Sequence, residues 1–241
     1  MGVLMVYRLY LESGPQKKKT MVHVVDLPGC VVTGPTTDEA LRRTPAVIRH
    51  YRELLKKHGV VVECLEDEIQ IEVAQHIMEG SWLGNGDPAL LVPTDLEPLT
   101  AEKRERSIQC AECMRAELLE LVNGLSDEQW MAQPEKGRSI RSILQHIFGA
   151  EYQYIRGYFG KLDGVKGPGP VETMGRGELL AWMAFVRVRE LEAIRAWPVE
   201  EQARQSTHGQ QIKTASKVMR RMLEHQWEHL LEINDRVGVE I

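Results

Sequence analysis

Three observations predict an α+β chain, in which a small mixed unit precedes an all-α four-helix bundle. Up to about residue 78 the apolar residues fall in short runs between turn signals. After Thr100 they recur at helical spacing, with no strand-like run between the helices. Between the two, Gly84, Gly86, Pro88, Pro93 and Pro98 break any period. The expected division is therefore 1–78 for the α+β unit, 79–99 for a connecting segment and 100–241 for the bundle.

Taken in order, 3–11 and 20–25 read as strands joined by a turn, and 30–33 forms a third before Gly34-Pro35. Thr36 with Glu39 is a capping box that starts a helix. Pro45 should interrupt or restart that helix, giving a segment over 45–58 that ends at Lys56-Lys57-His58-Gly59. Residues 60–64 and 68–74 look like further strand. In the connecting segment, Trp82, Leu83 and the run Ala89 to Val92 suggest packing against a domain. The bundle helices are expected at 100–123, 138–159, 176–197 and 212–236, with a short capped turn from Ser126. In the first of these, Ile108, Met114, Leu118, Leu121 and Val122 form the inward stripe.

The bulk properties exclude several classes. A 241-residue chain with 43% hydrophobic and 27% charged residues has an ordinary globular composition. A net charge of -5 disfavours a nucleic-acid partner. The basic run Lys17-Lys18-Lys19 reads as a solvated turn. Cys110 and Cys113 have C-x-x-C spacing but lie within one helix with no second pair, so the four cysteines read as free thiols in a reducing compartment. No apolar run is long enough to span a bilayer, and residues 1–12 read as strand rather than signal peptide. The expectation is a cytoplasmic protein with a small-molecule substrate and no membrane partner; a homodimer is left open.

The histidines carry the chemistry. On the last helix the apolar stripe runs through Val218, Met219, Met222, Leu223, Leu230 and Ile233. His225 and His229, four apart, continue its edge, and two imidazoles at that spacing reach a common point. His146, in the row of Ile143 and Ala150, is the candidate third ligand. The competing reading makes them hydrogen-bonded core residues. Glu151 falls on the apolar face of its helix, where an unpaired carboxylate is costly. It is a candidate partner of a ligand histidine, a ligand itself, or the partner of Arg187 or Arg189. The other histidines show no partner spacing.

Leu125-Ser126-Asp127-Glu128, the stretch Ser139 to Ile147 and the stretch Met222 to His229 resemble the DinB/YfiT-like family of metal-binding helical bundles over roughly 100–236. The resemblance implies a metal on His146, His225 and His229. It also implies a divalent ion (zinc or nickel) that activates a low-molecular-weight thiol in S-transferase chemistry on small electrophiles; hydrolysis would use the same site. Asp26-Leu27-Pro28-Gly29-Cys30 followed by Gly34, Thr36 and Glu39-Ala40-Leu41 resembles the HicB-like fold over 1 to about 75. That second resemblance implies the alternative function, a non-catalytic binding or regulatory protein whose HicB-like unit contacts a partner.

Overall fold

The computed structural model describes residues 5–14, 19–62, 69–165, 174–208 and 211–239. Three strands come first: β1 (Val6–Gly14), β2 (Lys19–Val24) and β3 (Val31–Gly34). Helix α1 (Thr37–Lys57) crosses over to β4 (Gln70–Ile77), completing a sheet of order β3-β2-β1-β4. β1 pairs antiparallel with β2, Leu9 opposite Val24 and Leu11 opposite Val22, and parallel with β4. Tyr7, Leu9 and Leu11 of β1 are buried, and α1 packs on β2 and β3.

The bundle follows as α2 (Ala101–Asn123), the short α3 (Asp127–Met131), α4 (Ile140–Phe159), α5 (Arg176–Arg195) and α6 (Ala215–Val237). Thr100, Ser126, Ser139 and Thr214 cap α2, α3, α4 and α6 by accepting a backbone N–H three residues on. The α+β architecture expected from the sequence is the observed one. Among the described residues, no helix is long and apolar enough to cross a membrane.

Three local expectations need correction. First, α1 runs unbroken through Pro45. Its buried face, Ala40, Val47, Ile48, Tyr51, Leu54 and Leu55, spans both sides of the proline, so continuous burial offsets the missing backbone donor. Second, no strand forms over 60–62; the rest of that expected strand, 63–64, lies outside the described residues, as do Lys17 and Lys18. Third, a small hairpin of β5 (Ser206–His208) and β6 (Gln211–Lys213) precedes α6, where the helix was expected to start at 212. The cap at Thr214 fixes the true start, leaving Ile212 extended opposite Thr207.

The sheet and the bundle share one continuous apolar core. Leu83, Leu90 and Val92 of the connecting segment are buried, the latter two against Val25, Tyr10 and Ile77. A 3-10 turn at Pro93–Leu96 touches α6. α6 lies at the centre, contacting α2, α4 and β3, and Trp227 packs edge-on against Tyr51 of α1 with ring centroids 4.7 Å apart. That position buries its expected stripe and also Lys217, Arg220, Arg221, Glu224 and Gln226.

Candidate metal centre

α4 and α6 pack side by side, which brings His146 against His225 and His229. His225 Nε2 lies 3.0 Å from His146 Nε2 and 3.2 Å from His229 Nε2, so all three rings turn the same nitrogen inward. His229 is buried, His225 half-buried and His146 exposed, so one side of the cluster faces solvent. Gly149, three residues after His146 on the same helix, also borders open space, since a Cβ there would meet nothing within 4 Å.

A carboxylate fixes the tautomer of one ring. Glu232 Oε2 lies 2.7 Å from His229 Nδ1. An ionised carboxylate only accepts, so Nδ1 carries the proton and Nε2 presents its lone pair to the cluster. Burial alone would raise Glu232. The hydrogen bonds from His229 and Arg236 and the charge of Arg138 outweigh it and hold the carboxyl down to about 2. His225 is pushed down to about 2, first by burial and then by His229, His146 and Arg221. Burial, helped by Arg138 and His229, brings His146 down to about 4. Both rings are therefore neutral at physiological pH, the state that donates to a cation.

The spacing suits such a cation. Two nitrogens each about 2.0–2.1 Å from a tetrahedral ion lie roughly 3.3 Å apart, close to the separations observed. Three imidazoles leave a coordination position over, and the solvent-facing side supplies room for it.

Glu151 lies elsewhere. It is buried in the bundle interior, where Arg115 donates to it at 2.7 Å and Arg187 forms a second, shorter ion pair. Two buried guanidiniums pair with its charge, which sets it apart from the ligand histidines and leaves the Arg187 alternative as the observed one. The carboxylate that touches the cluster is Glu232. Its i, i+3 spacing from His229 was the sequence signal for it. Cys30, Cys110 and Cys113 are free and buried, apart from the cluster.

The family model described as the DinB superfamily matches residues 111–233, more than half of the chain. The chain belongs to the DinB superfamily. The matched stretch contains α4 with His146 and the part of α6 that bears His225 and His229. No curated protein and no solved structure matches the chain.

A second buried network, which the sequence did not reveal, joins that stretch to residues before it. His23 of β2 contacts Glu224 of α6 through Nδ1 at 2.9 Å. Arg220 bridges Glu224 (2.7 Å) and Asp95 (2.7 and 2.8 Å), and Arg221 donates to Glu224 at 2.7 Å. Burial would raise Glu224, but Arg220, His23 and Arg221 hold it well below the usual carboxylate range. The network thus ties the sheet and the connecting segment to α6 one residue before His225.

Proposed function

We propose that this member of the DinB superfamily is a metal-dependent enzyme in which His146, His225 and His229 hold a divalent cation, zinc or nickel. Its reaction is transfer of a low-molecular-weight thiol to a small electrophile. The observation that carries the reading is the convergence of three Nε2 atoms with Glu232 on the outer nitrogen of His229. A cation held there lowers the pKa of a thiol or water in its open position, supplying a nucleophile at neutral pH.

The chain's own residues do the rest. Glu232 orients His229 and keeps its proton on Nδ1. The solvent-facing side beside His146 and Gly149 admits the reactants. The network at Glu224 pins the helix that carries two of the three histidines, so their separation is set before any ligand arrives.

The test is elemental mass spectrometry on protein purified without metal-affinity resin, for wild type and His225→Ala. Near-stoichiometric metal lost in the variant supports the site, and a panel of thiols and electrophiles then separates transfer from thiol-independent hydrolysis. Absence of metal after reconstitution with zinc and with nickel would sink the reading.

A second reading treats residues 1–78 as a HicB-like docking unit, on the strand-strand-strand-helix-strand order of β1 to β4. β4 is an edge of the sheet and exposes Val73, the kind of edge that a partner strand can extend. A stable protein partner with no turnover on the panel favours this reading over the enzyme.

A further inference from the structure

A cavity of about 230 Å³ lies between α4 and α6, beyond the histidine cluster. Tyr154 of α4 is the shared wall: it lines the cavity, and its ring stands edge-on to His225 with centroids 6.1 Å apart. Arg221 and Lys217 of α6 and Lys213 of β6 also line it, and among the described residues no carboxylate does. Arg221 is one helical turn before His225 and Lys217 two, or about 6 and 12 Å along the axis.

The cations are only partly satisfied. Lys217 Nζ donates to the carbonyls of Pro88 (2.8 Å) and Ile212 (3.1 Å), which spends two of its three donors. Arg221 spends one N–H on Glu224 and presents further donors. Among the described residues, Lys213 forms no ion pair. Burial, with Arg220 and Arg221 nearby, brings Lys217 down to about 8 against the pull of Asp95, so an arriving anion would find this ammonium short of negative charge. Gly157 leaves the cavity floor open: a Cβ there would stand 4.0 Å from Lys213 Nζ.

We infer that this cavity binds the carboxylate or phosphate of a small molecule whose reactive end reaches the histidine cluster. The ligand class is an organic acid with its anionic group roughly 6–12 Å from the reacting atom. The inference rests on the proposed metal chemistry for the reactive end alone; the anion site stands on Lys213, Lys217 and Arg221.

The experiment is calorimetric titration of metal-free and zinc-loaded protein with 6-mercaptohexanoate, 6-mercaptohexan-1-ol and hexanoate. Both acids should bind at least about tenfold more tightly than the alcohol. The preference should shrink to about threefold or less in Lys213→Gln and in Lys217→Met. Gly157→Leu, which fills the cavity and leaves every charge in place, should abolish binding of hexanoate. Circular dichroism separates loss of fold from loss of the site. If zinc strengthens the mercapto acid but not hexanoate, the anion belongs to the thiol reactant; if it strengthens neither, the anion belongs to the acceptor. Equal binding of acid and alcohol, or charge preference unchanged in all three variants, overturns the inference. Hexanoate binding without metal uptake would retain the anion site and refute the metal chemistry, so the two failures are distinguishable.

Discussion

His23 and His225 meet the same helix at neighbouring residues, yet their environments push them in opposite directions. Burial lowers both. At His23 the charge of Glu224, with Glu12 3.9 Å away, outweighs burial and holds the ring above its ordinary value. At His225 the neighbours are two more imidazoles and two guanidiniums, which add to burial. A histidine among carboxylates keeps its proton and joins segments as a cation. One among histidines gives it up and offers lone pairs. Neighbours, rather than depth, decide which of these roles a buried imidazole takes.

The largest expected effect separates those roles outright. His225→Ala should reduce metal content from near-stoichiometric to background, while changing the urea stability of metal-free protein by about 1 kcal/mol or less. His23→Ala should do the reverse, keeping the metal and losing stability. Equal metal loss in both variants would erase the distinction. Next is Glu224→Ala, which strands Arg220, Arg221 and His23 in the interior; equilibrium denaturation should show a loss of about 3–5 kcal/mol. A loss under about 1 kcal/mol would mean that the network is not what ties the sheet to α6. Glu232→Gln is smaller: it weakens the hold on His229 and should lower zinc affinity about 10–100-fold in competition with a chromophoric chelator.

The smallest effect is in the pH dependence of metal-free stability, where the signs oppose. His23, raised on folding, contributes stability that is full below its unfolded value near 6.5 and fades as pH rises through its folded value. His23→Gln should therefore cost more at pH 6 than at pH 9. His146 and His225 are lowered, so their contribution is present above about 6.5 and is lost as pH falls, through about 4 for His146. His225→Ala should gain on wild type between pH 7 and pH 5. Parallel pH profiles for the two variants would contradict the opposed environments.

Which parts were legible in the sequence follows from the range of the contacts. His225 and His229 share a helix face by spacing alone, and His146, 79 residues away, was a candidate from its own helix row that the resemblance then matched. Every residue of the predicted α6 stripe is buried, because helical periodicity is a local property. The pairing of His23 with Glu224 crosses 201 residues and left no local trace. Arg220, Arg221 and Glu224 lie outside the predicted apolar stripe, and only the sheet and the connecting segment make that side of the helix interior. Pro45 misled for a related reason: a local rule predicted a break, and burial along both halves of α1 overrode it. Glu151 was flagged correctly as costly to bury, but its partners Arg115 and Arg187 sit on two other helices.

The central position of α6 also has a consequence in time. During synthesis β2 leaves the ribosome about 200 residues ahead of the helix whose Glu224 pairs with His23. At roughly 5–20 residues per second that is an interval of about 10–40 s. Throughout it the nascent sheet lacks Glu224, Trp227 and the apolar stripe that complete its core. The early half of the chain must wait as an exposed template, so a slow ribosome or a stalled message here should feed aggregation, and chaperone demand should peak before His225 and His229 are made.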